Sequence, residues 1–557
     1  MIVRRAACLS ALVVAACGAL LAPGGATAAV GDLSAGACIG YPIDNDCEIA
    51  PIQAPRGVAV SPDGKSVYAA AGNDALAVFS RGGPDGKLSY KGCLGNTAVD
   101  DCTDLPGAPI DNPWGVAVSA DGSAVYVTAA ASDSIAHFAR APDGALTFAG
   151  CISRVPQTGC TPTMQLFLAG ATGVAASPDG GSVYTTASAI DAVTHLFRNP
   201  LDGSIVLDGC LGNTADWGCG DLPNAPIDGP SDVAVSPDSK SVYVVSPSTN
   251  SIAHFFASGN QGQIYYDGCF SSRGESGCAD LPGHPLDGAA GVDLSPDGKS
   301  VYVTSLGSDS VSHFVVSGPK GQLSYYGCAA SDDAPGCVDV PGTPLKNPHG
   351  VAVTPDGSSV YVTGLGSDSI AHFRRAADTG ALDYAGCLAR ENDNGQRCVE
   401  APGRGLNQPW DIAISPDGAS LYVTAPAGHA VTHLFRSLVG DPEPGPGDTP
   451  TGGQGGSGGS ENPPPAVMCG GRRATIVGTK HADRLRGTRG RDVIAALGGN
   501  DRVSALGRAD VVCGGRGRDT LLGGRGRDRL LGGPQRDTCI GGAARDRASA
   551  CETRRSL

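Results

Sequence analysis

The stretch GVAVSPDGKSVY, residues 57–68, decides how this chain folds, because it returns six more times. The copies read GVAVSADGSAVY, GVAASPDGGSVY, DVAVSPDSKSVY, GVDLSPDGKSVY, GVAVTPDGSSVY and DIAISPDGASLY. The hydroxyl residue opening the turn falls at Ser61, Ser119, Ser177, Ser236, Ser295, Thr354 and Ser415, a spacing of 58 to 61 residues. Such a period signals a repeat architecture. In the sixth copy, residues 351–354 predict a first strand and 355–357 a tight turn, with Gly357 where positive φ is needed. Residues 359–363, 369–373 and 381–385 predict three more strands, rich in Val, Ile, Tyr and Phe between Gly, Pro, Asp and Ser. Seven units of four strands predict an all-β chain and a seven-bladed β-propeller.

The ends of the array agree. The seventh unit stops after its third strand, residues 431–435, while GDLSAGACIG at 31–40 matches GKLSYKGCLG at 86–95. The N-terminal segment is therefore predicted to complete the last blade and remove an open sheet edge. Upstream, Arg4 and Arg5, an apolar run and Ala26-Thr27-Ala28 read as a signal peptide over 1–28. Val14-Ala15-Ala16-Cys17 also matches a lipoprotein cleavage box, the rival reading. The expected location is secreted or cell-surface associated, with no membrane span after cleavage.

Cysteines point the same way. The body holds Cys38/Cys47, Cys93/Cys102, Cys151/Cys160, Cys210/Cys219, Cys269/Cys278, Cys328/Cys337 and Cys387/Cys398 as seven close pairs, each expected to be a local disulfide. Cys469, Cys513, Cys539 and Cys551 are expected to make two more, with three pairings open. The net charge of −15 is unevenly spread. Residues 29–440 carry 19 basic and 42 acidic side chains, whereas 469–557 carry 19 basic and 9 acidic. A Pro/Gly/Ser linker, 441–468, joins the acidic propeller at 29–440 to the basic tail.

The repeats, through SPDGKSVYVTSLGSDSVSHF at 295–314, resemble the secreted YVTN and lactonase-like seven-bladed propellers. That resemblance implies the fold, and hydrolysis of a lactone or handling of a sugar acid as one activity. No nucleophile elbow, metalloprotease helix or phosphate loop is present. Positions that differ between repeats mark a candidate site instead. Before the first strand stand Arg56, Trp114, Thr172, Ser231, Ala290, His349 and Trp410, expected around the channel mouth. Arg56, Trp114, His349 and Trp410 are the candidate ligand platform; the alternative is a plug. The acidic set Asp104, Asp221, Asp280, Asp339 and Glu400 is read as local caps or a cation lure. His137, His195, His254, His313, His372 and His433 share one position and read as packing, and Asp293 replaces a small residue as a buried acid.

In the tail every Asp lies on one nine-residue period, from Asp483 to Asp546, with a mostly apolar residue two places on. GGRGRDTLLGGRGRDRLLGG at 514–533 is similar to the nonapeptide of RTX-type (haemolysin-type) calcium-binding solenoids. The resemblance implies a parallel β-roll over 469–557. It implies calcium at Asp492, Asp501, Asp510, Asp519, Asp528 and Asp537, between turns two repeats apart. Arginines depart from that pattern: Arg491, Arg518, Arg527, Arg536 and Arg545 directly precede an Asp. A unit charge ~8 Å from a dication costs about 1 kcal/mol even in water, so an Arg–Asp ladder and a vestigial repeat are the rivals. With no Phe, Tyr or Trp in 469–557 to stack on bases, nucleic acid is not expected. The expected function is extracellular calcium-dependent binding or attachment by a monomer, toward a carbohydrate or surface polyanion. A secreted lactonase-like hydrolase is the alternative.

Overall fold

The computed structural model describes residues 33–437 except 42–46, 83–85, 97–101, 164, 215–217, 259–261, 332–333, 391–397 and 402–403. It also describes 468–555 except 470–471, 474–475, 478–483, 487–490, 507, 543–544 and 552. The signal peptide with Cys17 and Ala28, residues 31–32, all but the last residue of the linker, and Asp483 lie outside the described residues. The chain divides into two compact units, Met1–Pro444 and Gly445–Leu557. Among the described residues no helix is long and apolar enough to cross a membrane.

The first unit is seven sheets of five strands each. In the sixth blade they are Pro348–Val353, Ser359–Gly364, Ser369–Arg375, Leu382–Ala389 and Val399–Glu400. The first four pair antiparallel as expected; the fifth runs parallel to the fourth. It is the element the sequence reading missed. The chain leaves strand four at one cysteine, returns at its partner and pairs for two or three residues. All seven expected disulfides form, and each pins one such return. They are Cys38–Cys47, Cys93–Cys102, Cys151–Cys160, Cys210–Cys219, Cys269–Cys278, Cys328–Cys337 and Cys387–Cys398. The expected four strands per unit are thereby corrected to five. Cys160 lies within a fifth strand, and Cys219, Cys278, Cys337 and Cys398 stand directly before one. Closing so short a loop stabilises by about 2.7 kcal/mol on the chain-entropy model. Asp104, Asp221, Asp280, Asp339 and Glu400 sit exposed on this outermost strand.

Blade seven is closed by the N-terminal strand Leu33–Gly40, antiparallel to Ala430–Arg436. Leu33 and Ala35 pack on a core with Leu388, Leu406 and Leu434, and Ile39 is buried against the first blade.

Blades are latched to one another by a residue set that the repeats only half disclose. The tyrosine ending each repeated phrase is fully buried. Tyr68 Oη donates to Gly144 O of the next blade at 2.9 Å and accepts from Arg140 Nε at 2.7 Å. Arg140 also pairs with Asp63 of the Ser-Pro-Asp-Gly turn at 2.8 Å. The same Tyr–Arg–Asp latch recurs at Tyr126–Arg198–Asp121, Tyr302–Arg375–Asp297, Tyr361–Arg436–Asp356 and Tyr422–Arg81–Asp417. A nearly buried guanidinium is tolerated because a carboxylate and a phenol oxygen satisfy it. Gly144 has φ 91, and a Cβ there would collide with Ser66 Oγ, so this turn requires glycine.

The second unit is a roll of two parallel five-stranded sheets. One contains Val493–Ala495, Val511–Cys513, Arg529–Leu531 and Arg547–Ser549; the other contains Arg502–Ser504, Thr520–Gly524 and Thr538–Gly542. Partners are 18 residues apart, two nonapeptides per turn of the roll. Ile494, Val503, Val512, Leu521, Leu530 and Cys539 fill the interior, as the apolar period requires. Of the three open pairings, the roll adopts Cys469–Cys513 and Cys539–Cys551.

Candidate functional site

Two regions hold the ligand and metal candidates singled out from sequence. The fourteen propeller cysteines belong to neither: none of Cys47, Cys102, Cys160, Cys219, Cys278, Cys337, Cys398 or their partners lines the channel-mouth cavity. They are scaffold. At the channel mouth all four platform candidates meet. The Arg56 guanidinium lies 4.3 Å from the Trp114 ring centre, Trp114 meets Trp410 edge-on at 5.7 Å, and His349 lies 4.0 Å from Trp410. Arg56 Nη1 also donates to Asn112 Oδ1 at 2.5 Å. The rings contact one another, which is the geometry of a plug. The cavity beneath is about 90 Å³, lined by Trp114, Asp232, His349, Trp410 and Asp411 among others. Small-molecule sites usually offer about 300–1,000 Å³, and a water takes about 30 Å³. The space therefore suits a few waters and not a sugar lactone. Trp114 Nε1 is buried there with no hydrogen-bond partner among the described residues.

Asp293 is a buried acid as expected, and it has two companions that sequence reasoning passed over. Asp232 and Asp411 stand where other repeats have glycine. Each carboxylate bridges first strands of adjacent blades: Asp411 accepts from Val58 N at 2.9 Å, Asp232 from Val292 N at 3.0 Å and Asp293 from Val353 N at 2.8 Å. Burial pushes Asp232 up to about 6 and both Asp293 and Asp411 up to about 7; the Asp232 charge adds to the rise at Asp293, and the Asp232 and Asp293 charges add to it at Asp411. Burial pulls His349 down to about 4, so its imidazole is neutral at pH 7.

The six strand-three histidines stack on tyrosines of their own blades, ring centres 4.8–5.5 Å apart. One set has the connectivity of a nucleophile–base–carboxylate triad: His195 Nε2 lies 3.0 Å from Ser182 Oγ and Nδ1 lies 3.0 Å from Asp208 Oδ2. Ser182 is buried, however, and Gly262 of the next blade covers its hydroxyl. No substrate reaches it, and the array is packing.

In the roll, the candidate ligands Asp492, Asp501, Asp510, Asp519, Asp528 and Asp537 are all buried. Each carboxylate from Asp510 onward reaches back one turn of the roll through Oδ1. Asp510 accepts from Asp492 N at 2.8 Å, Asp519 from Asp501 N and Asp528 from Asp510 N at 2.9 Å, and Asp537 from Asp519 N at 2.8 Å. Oδ2 of Asp510, Asp519, Asp528 and Asp546 is buried and accepts no hydrogen bond among the described residues. A Cβ added at Gly514 would fill the space between Asp519 Oδ2 and Gly532 O, and one at Gly523 the space between Asp528 Oδ2 and Gly541 O. A carboxylate oxygen and a turn carbonyl facing a bare glycine suit a hard cation. Among the described residues no group of three His, Cys, Asp or Glu forms a metal cluster, so a cation held at these turns would take its remaining oxygens from the backbone. Burial, then the facing carboxylates of Asp528 and Asp492, push Asp510 up to about 6; burial raises Asp519 and Asp528 too. Among the described residues no ion pair joins Arg518, Arg527, Arg536 or Arg545 to these aspartates, so no Arg–Asp ladder forms there.

Residues 219–383 match the family model described as lactonase, 7-bladed beta-propeller, and residues 477–512 and 514–548 match the RTX calcium-binding nonapeptide repeat. Similar solved structures include a putative 6-phosphogluconolactonase from Bacteroides fragilis, 20% identical over 63% of this chain and 86% of that one, TM-score 0.46. The periplasmic gluconolactonase of Pseudomonas aeruginosa is 18% identical over 63% and 86%, TM-score 0.43. Hydrazine synthase of Kuenenia stuttgartiensis is 17% identical over 72% and 100%, TM-score 0.45. Likeness at this level transfers no activity. No curated protein matches the chain.

Proposed function

We propose that this chain, a lactonase-type propeller followed by RTX-type repeats, is an exported binding module whose roll takes up calcium outside the cell. The observation that carries the reading is the row of buried, uncommitted Oδ2 oxygens at Asp510, Asp519, Asp528 and Asp546. Stacked carboxylates of one sign repel, and a bound dication supplies the charge that compensates them. Asp492, Asp501, Asp510, Asp519, Asp528 and Asp537 would hold it together with turn carbonyls. Nine disulfides support an oxidising compartment. Calorimetric titration of chelator-stripped protein with calcium tests this. Saturable binding is expected, weakened at least about tenfold by Asp519→Asn with Asp528→Asn, a loss of about 1.4 kcal/mol. Absence of saturable heat would retire the calcium reading.

Lactone hydrolysis is the second reading, favoured by one arrangement: Asp232 and Asp411, raised to about 6 and about 7, line the same cavity as neutral His349, and Arg56 stacks on Trp114 of its lining. General acid–base work needs groups titrating near the working pH. The closed mouth and the 90 Å³ cavity weigh against it. Assay against a panel of aldonolactones is expected to show no turnover above buffer. Turnover that vanishes in both Arg56→Ala and His349→Ala would replace the binding reading with an enzymatic one.

A further inference from the structure

We propose that one edge of the roll is a docking groove for a linear phosphodiester polymer, bound through its backbone phosphates, and that calcium strengthens this docking. The coupling rests on the calcium reading above; the groove does not. It measures about 670 Å³ and its charged lining is Arg472, Arg491, Arg527, Arg529, Arg545 and Arg547 over Asp510, Asp528 and Asp546. All six arginines are exposed. The repeat places them in rows. Arg529 and Arg547 are register partners on adjacent parallel strands, and Arg527 and Arg545 precede those strands at the same 18-residue interval. Adjacent rungs lie about 4.8 Å apart, so guanidinium forks recur along the groove at the scale of neighbouring oxyanions. Eighteen arginines against one lysine in 469–557 fit bidentate recognition of phosphate oxygens better than point-charge attraction.

With no Phe, Tyr or Trp in 469–557 there is no aromatic side-chain platform of the kind that reads bases or sugar faces, which favours the charged backbone of the polymer as what is bound. The arginines that the nonapeptide pattern does not ask for thus acquire a use. They line the groove together with Asp510, Asp528 and Asp546, and Arg527 and Arg545 stand immediately before two of those aspartates. Without metal the lining carries six positive and three negative groups. Calcium taken up at the turns of Asp510, Asp528 and Asp546, one carboxylate per rung, would cancel negative charge facing an incoming phosphate, so calcium and polymer must each tighten the other.

The test uses the full chain and poly(glycerol phosphate) as probe, with binding followed by calorimetry in calcium and in chelator. Expected are an affinity at least about tenfold higher in calcium and a log–log fall of affinity with salt. Arg527→Gln with Arg545→Gln is expected to lose at least about tenfold in polymer affinity, while calcium still binds saturably and no more weakly, since positive charge beside Asp528 and Asp546 has been removed. Arg518→Gln with Arg536→Gln, which removes the same charge away from the groove, is expected to leave polymer binding intact. Equal losses in the two pairs would overturn the groove in favour of diffuse tail charge. Tighter binding of a single-stranded oligonucleotide of equal charge would overturn it in favour of base recognition. No effect of the groove pair on polymer binding would overturn the groove outright. Equal polymer affinity in calcium and chelator beside a normal calcium titration would overturn the coupling alone, and a null calcium titration would overturn the calcium reading while leaving the groove to its arginine variants.

Discussion

Deleting residues 29–40, with Cys47→Ser so that no thiol is orphaned, is expected to destabilise the propeller by about 10 kcal/mol. Six register pairs tie Leu33–Gly40 to Ala430–Arg436, at about 1 kcal/mol net per hydrogen bond. Ile39 is 1% exposed, and burying it contributes about 2–3 kcal/mol. The Cys38–Cys47 loop adds about 2.7 kcal/mol. These terms are not independent, but the exposed edge that remains makes the loss larger in practice. Ala430–Arg436 would become the bare outer edge of blade seven, a template for pairing with other chains. Thermal unfolding of the deleted protein should fall by roughly 10 °C or more, with aggregation on heating. Hydrogen exchange should show lost protection at 430–436 first. The double variant Cys38→Ser with Cys47→Ser is the control, losing only the disulfide contribution. Unchanged melting and unchanged protection at 430–436 would mean that the ring does not depend on this strand.

That closing strand was legible in sequence because it repeats the local chemistry of an internal strand, down to Ala37-Cys38-Ile39-Gly40 against Gly92-Cys93-Leu94-Gly95. The turns were legible for the same reason: Ser-Pro-Asp-Gly carries its own hydrogen bonds, Ser61 Oγ to Asp63 Oδ1 at 2.6 Å among them. What stayed hidden lives on tertiary links. The fifth strand of the first blade is two residues long, too short to show alternation, and exists because Cys102 returns to Cys93. Cys160, Cys219, Cys278, Cys337 and Cys398 make the same return to strand four in the next five blades, so pairing was readable from spacing while the strand it creates was not. Nothing in the sequence singles out Arg81, Arg140, Arg198, Arg375 and Arg436, because their partners lie a whole blade or more away along the chain. Asp232 and Asp411 were visible as departures from glycine, yet only the ring brings Val292 and Val58 amides to their carboxylates. The platform residues were found by their variation between repeats, and packing then showed them in mutual contact over a small cavity. In the roll, a period of nine located the carboxylates, but the gathering of six arginines on one edge follows from the 18-residue rung.

Stability of the roll should reverse its pH dependence when calcium is removed. In the metal-free roll Asp510 is pushed up to about 6, and Asp519 and Asp528 are raised as well, each by burial first. A carboxyl whose folded pKa exceeds its unfolded value of about 3.8 binds its proton more tightly when folded. Its contribution is fully present below pH ~3.8 and is lost as pH rises through about 6. Chelator-treated protein should therefore protect the amides of 493–549 better at pH 4 than at pH 7.5. With calcium the order inverts, because protons and metal compete for the same oxygens. Protection should be high at pH 7.5 and fade as pH falls through about 6. At calcium a hundredfold above its dissociation constant the gain is about 2.7 kcal/mol per site, or about a hundredfold slower exchange. Peptide-resolved hydrogen exchange on the full chain separates this signal from the propeller, whose Asp232, Asp293 and Asp411 are raised too. Asp519→Asn with Asp528→Asn removes two titrating groups and should flatten both curves together. A metal-free roll as well protected at pH 7.5 as at pH 4, and indifferent to added calcium, would mean that the stacked carboxylates are satisfied without metal. The same titration thus asks whether the buried carboxylates repel one another, which is the physical premise of the calcium reading.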